Sequence, residues 1–352
     1  MSAVKHRKRA VLTVLGRILL CLVALIEVVV FGLLGVIFVL ERGPSERARD
    51  LFVVSMNETS AAKFVPTIFL SQQEVDEILA RNTFQETDAV TDPELVVISS
   101  EPEKTAQQDE SVDPDGDGID ILNVSGSTFK GKLMLVYDPS RVFVGVSGTY
   151  GATEYGKTLP DIYARYDNIV GAINGGGWDD RDGHGTGGEP WGIVISEGKV
   201  LWGTPMYYSW DMAGITNENK LVVGKMTVQE AVDMGVRDAV KYGPPLIVNG
   251  EPLEALGTGS GLNPRTAIGQ RADGTILLLT IDGRQGNSLG ASLADVRDVM
   301  LENGAVNAYN LDGGQSAAMV KGDEIYGVPY RGGRSVSDVL MIVDGANQEV
   351  QP

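Results

Sequence analysis

The rhythm of apolar and polar residues changes three times along the chain. From Ile18 to Leu40 the side chains are apolar almost without break, Glu27 being the one charge. Those 23 residues would reach ~34 Å as a helix, enough to cross the hydrocarbon core of a bilayer. A helical period then predicts a helix over SQQEVDEILARN (71–82), with Ser71 and Glu74 as a capping box and Val75, Ile78 and Leu79 on one face. Residues 83–118 are acidic and poor in large apolar side chains, which is a linker composition.

Beyond that, short apolar and β-branched runs predict strands. They are LMLVY (133–137), VFVGV (142–146), IVGAI (169–173), PLIV (245–248), TILLLTI (275–281) and VLMIV (339–343). Two helices are predicted between them. One runs over 227–243 behind a capping box of Thr227 and Glu230; the other runs over 292–304, with Ser292 as N-cap and Gly304 past its end. The expectation is a mixed α/β (α+β) fold, a mixed β-sheet with packed helices, preceded by a single N-terminal transmembrane helix.

These patterns divide the chain into a cytoplasmic N-terminus (1–17), a transmembrane helix (18–40), a juxtamembrane stalk and acidic linker (41–112), a main domain (113–345) and a tail (346–352). ERGPSERARD after Leu40 has no small-residue cleavage site, so the apolar helix is read as an uncleaved anchor rather than a signal peptide. The four Lys/Arg within MSAVKHRKR favour a cytoplasmic N-terminus and an extracellular main domain.

Charge then narrows the partners. Residues 41–352 hold 24 basic and 46 acidic side chains, a net charge of −22, which disfavours nucleic acid and anionic lipid as ligands of the external part. Cys21, in the apolar run, is the only cysteine, so the external part has no disulfide; this suits a bacterial cell surface.

Four stretches carry candidate chemistry. Asp113, Asp115 and Asp117 with Gly118 match the start of a calcium loop, but the position for the closing bidentate Glu is Val124, and an acidic linker explains them as well. No other cofactor is indicated: neither a dinucleotide-binding nor a P-loop motif occurs. INGGGWDDRDGHGTGGEPWG (173–192) is rich in glycine, letting backbone N–H groups approach a ligand, and it holds Asn174 and His184. Arg265 opens one strand, and Asp282, Gly283 and Arg284 close another; two guanidinium groups near glycine-rich backbone suit an anionic group. In YNLDGGQSAAM (309–319), Ser316 almost sits in a G-x-S-x-G elbow, yet no histidine lies downstream of it. A serine hydrolase using Ser316 is one rival reading, and a non-catalytic envelope protein that binds glycan or assembles is another.

INGGGW (173–178), P-x-G-I-V-I-S-x-G-K (190–199), NPRTAIG (263–269), IDGR (281–284), NLDGGQS (310–316) and GGRSVSD (332–338) occur in the order found in phosphodiester glycosidases. The chain over about residues 120–345 resembles that family, whose type is the N-acetylglucosamine-1-phosphodiester α-N-acetylglucosaminidase. The resemblance implies a hydrolase that cleaves a sugar-1-phosphodiester bond, here in a cell-surface glycan, exopolysaccharide or teichoic-acid-like polymer.

It further implies Asp312 and Asp282 as acid, base or nucleophile, with Arg265, Arg284 and Arg334 clamping the phosphate. Asn174, Gly175, Gly176, His184, Asn310, Gly313, Gly314 and Ser316 would line the substrate. The vertebrate members are rich in cysteine, and this chain departs from them in having none outside the apolar run.

Overall fold

The computed structural model describes residues 2–59, 62–96, 98, 116–181, 185–203, 205–327 and 333–345, with side chains from residue 13 onward. Helix α1 (Ser2–Arg42) contains the apolar run, and its segment Thr13–Arg42 is long and apolar enough to cross a membrane. None of its hydropathic window is buried against the rest of the protein.

Helices α2 (Glu46–Asn57) and α3 (Gln72–Arg81) come next, the latter with the expected Ser71–Glu74 capping box. They are not a free stalk. Val53, Val54, Leu70, Val75 and Ile78 form a small core of their own, and Asp50 takes two hydrogen bonds from Arg81 and one from Asn82. The chain then runs along the main domain. Leu256 N–H donates to Thr83, Gln85 N–H to Glu254 and Thr91 N–H to Val223.

Three antiparallel sheets make the rest. The first holds β1 (Ile119–Ser125), β2 (Lys130–Val136), β13 (Ile276–Ile281), β12 (Arg265–Arg271), β14 (Ala305–Leu311), β10 (Pro245–Val248) and β11 (Glu251–Pro252), in that order. The second holds β16 (Glu324–Tyr326), β15 (Met319–Lys321), β4 (Ile169–Asn174), β17 (Asp338–Val343) and β3 (Val142–Val146). The third holds β6 (Lys199–Trp202), β5 (Val194–Ser196), β9 (Val236–Val240), β7 (Ser209–Thr216) and β8 (Leu221–Thr227).

All three sheets turn one face to a common core that includes Met134, Val144, Ile173, Ile215, Ile268, Leu278, Tyr309, Leu311 and Leu340. Each outer face takes a helix: α6 (Leu293–Glu302) on the first, α4 (Leu159–Tyr163) on the second, α5 (Val228–Asp233) on the third. This double burial explains why strands such as ILLLTI have no alternation.

The predicted helix over 227–243 is corrected. Its capping box is present, but the helix ends at Asp233 and the remainder is strand β9. Gly235 adopts φ +79°, the left-handed conformation that stops helices; in the strand that follows, Val236 and Ala239 pack under α5 while Val240 joins the common core.

Candidate active site

The first two sheets bring strand ends together. β4 ends at Asn174, β14 at Leu311 and β17 begins at Asp338, so the turns INGGGW and LDGGQS and the residues before β17 meet at one edge of the common core. Gly175 is the hinge of this edge. Its carbonyl accepts from Asp312 N–H at 3.1 Å and its own N–H donates to the Asp338 carbonyl at 3.2 Å. A methyl group there would lie 2.3 Å from Asp338 Oδ1, so only glycine fits between the two aspartates.

Asp312 stands at the centre. Burial drives its pKa up to about 7; Ser316, by hydrogen bond, and the Arg334 charge pull it down, while Asp180 and Asp338 push it up. Asp338 is fully buried, and burial raises its pKa to about 6 against donors that favour the charge: Gly176 N–H at 2.6 Å and Ser337 Oγ at 2.6 Å. Two carboxyl groups that resist ionisation, set beside a guanidinium, can hold and release a proton near neutrality.

Arg334 lies over the Trp178 ring, its guanidinium carbon 4.2 Å from the ring centroid, and forms an ion pair with Asp180. Tyr242 is the other wall: its hydroxyl is pushed up by burial and then by Asp312, and it also feels Arg265, Glu58 and Asp180. Those five residues therefore share one neighbourhood. Lys241, with its ammonium 3.8 Å from the centre of the Trp191 ring, has a pKa lowered by burial.

Several sequence candidates take supporting positions. Asn174 is wholly buried; its amide donates to the Asp312 carbonyl at 2.6 Å, and its Oδ1 accepts from Thr266 Oγ1 and Ala318 N–H, so it positions Asp312. Asn310 donates to the Gly243 carbonyl at 2.7 Å, with a buried Oδ1 that has no partner. Gly313 and Gly314 fit against Pro264, whose carbonyl accepts from Gly314 N–H at 2.8 Å and would stand 2.7 Å from a methyl on Gly313. Gly176 and Gly177 fit against Lys241 and Tyr242. The glycines thus permit close packing of the turns on one another. Ser316 is buried and bonded to Asp312.

Arg265 is buried and already committed: its Nε donates to the Ala291 carbonyl, and its Nη2 to Ser260 Oγ, the Gly261 carbonyl and Glu58. Arg284 is more exposed, held in the left-handed region at φ +57° and bonded to Asn263 Oδ1 at 2.9 Å. Asp282 is pushed up by burial, against the Lys132 charge. The charges acting on Asp312 are those of Arg334, Asp180 and Asp338, so the structure pairs Asp312 with them and leaves Asp282 with Lys132.

His184, Asp113 and Asp115 lie outside the described residues. Asp117 accepts from Ile119 N–H and pairs with Lys321 Nζ at 3.0 Å, a cation in the place where calcium would compete. Among the described residues no group of three or more His, Cys, Asp or Glu could hold a metal ion.

The model of the phosphodiester glycosidase family matches residues 167–343, half of the chain and the part that carries Asn174, Asp312, Arg334 and Asp338. The chain belongs to the phosphodiester glycosidase family. Among its relatives, the SPbeta prophage-derived uncharacterized protein YomE of Bacillus subtilis (strain 168) is 30% identical over 243 residues, covering 63% of this chain and 36% of that protein. The mouse N-acetylglucosamine-1-phosphodiester α-N-acetylglucosaminidase is 25% identical over 250 residues, covering 63% of this chain and 47% of that one.

The chain thus spans between a third and a half of these relatives' lengths. The zebrafish N-acetylglucosamine-1-phosphodiester α-N-acetylglucosaminidase catalytic domain shares the glycosidase fold, with TM-score 0.52 and 22% identity over 64% of this chain and 82% of that one.

Asp338, Tyr242 and Glu58 were not among the sequence candidates, and Asp180 was legible only as one of the carboxylates in the glycine-rich loop. Asp338 ends the GGRSVSD stretch immediately before a buried strand, and Asp180 lies in the glycine-rich loop, so both had a local signal. Tyr242 and Glu58 had none, since only tertiary pairing brings them in.

Proposed function

We propose that this glycosidase is a membrane-anchored extracellular hydrolase that cleaves the C1–O bond of a sugar-1-phosphodiester in a cell-surface glycan, exopolysaccharide or teichoic-acid-like polymer. The observation that carries the reading is Asp312, a buried carboxyl held near neutrality and within electrostatic reach of Arg334, inside the family's matched region. The phosphomonoester that leaves is already a stable anion. Electrostatic support of its charge therefore matters more than a strong acid, and Arg334 and Arg284 are the guanidinium groups open enough to give it.

Asp312 serves as the group that takes or gives a proton at the anomeric centre. Asp338, sealed from solvent, positions Gly176 and keeps the Asp312 proton in place by its own charge. Anchoring is supported by the way the last turn of α1 is tied to α3 and the turn before it: Arg42 donates to the Phe69 carbonyl and pairs with Glu74 at 2.6 Å. Ser316 has Asp312, not a histidine, as its partner, which disfavours the serine-hydrolase reading.

The test is release of reducing sugar from an N-acetylglucosamine-1-phosphodiester by the full chain in detergent micelles. Turnover by the wild type, with at least a 100-fold loss in Asp312→Asn and in Arg334→Ala and neither variant less stable than the wild type at the assay pH, is the expected result. Wild-type rates in Asp312→Asn would remove the assignment.

A further inference from the structure

The segment between α1 and the main domain makes contacts with the apolar helix and with the site. At one end, Phe69 is bound to the last turn of α1. Its N–H donates to the buried Glu41 carboxylate at 3.1 Å, its carbonyl accepts from Arg42, and its ring meets Phe38 edge-on with centroids 5.4 Å apart. At the other end, Glu58, directly after α2, accepts from Gly261 N–H at 2.8 Å, Asn263 Nδ2 at 2.6 Å and Arg265 Nη2 at 2.9 Å. Arg284 reaches Thr59 Oγ1 at 3.3 Å.

Only three residues and the twelve-residue α2 separate Arg42 from Glu58. At ~3.5 Å per extended residue and ~1.5 Å per helical one, the arginine end of the site stands less than ~30 Å from the end of α1.

The turn that includes Phe69 has an unusual surface. Phe64 is 66% exposed and Ile68 38% exposed, although both shortly precede Phe69, which packs on the apolar helix one turn before its end. Large apolar side chains exposed on a turn whose Phe69 packs against α1 where the hydrocarbon run Ile18–Leu40 stops have the bilayer as their natural occupant.

We propose that the turn Phe64–Phe69 is a second membrane contact, seated in the outer interface beside α1, and that it fixes the site at the bilayer surface to act on sugar-1-phosphodiesters carried by a membrane lipid. The substrate part of this inference rests on the hydrolase reading above. In the reaction, water adds to C1, the C1–O bond breaks, and its electron pair stays on the phosphomonoester that remains on the lipid. One proton goes to solvent.

Two measurements on the full chain in lipid nanodiscs test it. In Phe64→Trp, the added indole emission should be quenched by lipids brominated on the acyl chain, relative to the wild type with its four tryptophans; unquenched emission overturns the membrane contact. In the paired Phe64→Ser, Ile68→Ser variant, turnover of a dioleoylglycerol-linked N-acetylglucosamine-1-phosphodiester should fall at least tenfold while turnover of its water-soluble methyl counterpart is unchanged. Equal effects on both substrates overturn the lipid-linked class and leave the hydrolase reading standing. Failure of the wild type on both substrates removes the hydrolase reading, and the lipid-linked class with it, while the quenching result still decides the contact.

Discussion

Asp312→Asn should make the protein more stable at alkaline pH while abolishing its activity. The folded protein raises the Asp312 pKa from 3.8 to about 7, so between these values it binds a proton that the unfolded chain has released. Stability therefore falls as pH rises: the contribution is fully present below pH 3.8, declines through the window, and is lost above about 7. Each tenfold change in proton affinity is worth ~1.4 kcal/mol, which gives about 4 kcal/mol as an upper bound. Asp338 adds a decline of the same sign ending near pH 6, and because the two carboxyl groups repel each other their contributions are not additive.

Asparagine has nearly the same shape and no charge to desolvate, so the variant keeps the turn but not the penalty. The assay is thermal unfolding of the full chain in detergent micelles, monitored by tryptophan fluorescence from pH 4.5 to 8.5. The diagnostic quantity is the gap between variant and wild-type melting temperatures. It should widen with pH, by on the order of 10 °C across the range if a kcal/mol moves the midpoint by ~2–4 °C. Parallel curves would refute the claim that Asp312 ionises against its surroundings, and with it the role assigned to its proton.

Contacts around the same edge give two further outcomes. Gly175→Ala places a methyl 2.3 Å from Asp338 Oδ1, so it should cost about 1–3 kcal/mol of stability and lower turnover by roughly 100-fold, read by urea unfolding and by sugar release. Glu58→Ala strands a nearly buried Arg265, whose side chain is 9% exposed against 28% for Glu58 itself; a loss of about 2 kcal/mol is expected, largely restored in Glu58→Gln, where the amide oxygen can still accept.

Much of the fold was readable because burial leaves a mark that needs no partner to be named. LMLVY, VFVGV and TILLLTI have no polar face to turn outward, and each is a strand packed on two sides. The capping boxes at Ser71 and Thr227 were also local, and both exist. What failed was local signal used at too long a range. Thr227 and Glu230 start a helix but do not say how far it runs, and Gly235 ends it after six residues. In the site, Asp312 stood out by its place between a strand and two glycines. The glycines were legible as necessary but not for their reason, since what approaches Gly175 is Asp338 rather than a ligand. Arg265 likewise stood out at a strand start, whereas its partner Glu58 comes from more than two hundred positions earlier, across a stretch with linker composition.

The division of labour among the arginines bears directly on mechanism. A guanidinium that already satisfies four acceptors, as that of Arg265 does, has little to offer a phosphate that arrives and departs with each turnover; its charge serves to hold Glu58 and the turn 260–263. Arg334 differs in kind. It is stacked on Trp178 and tethered to Asp180, which sets its plane in advance, yet it sits at an accessible edge where an anion can replace Asp180 as partner. On the proposed function, one phosphate oxygen would take the place of the Asp180 carboxylate on Arg334, and the negative charge it adds would favour the protonated form of Asp312. In the proposed reaction the Asp312 proton would remain available until the C1–O bond begins to break and negative charge grows on the departing phosphate, which is when a preset guanidinium stabilises most.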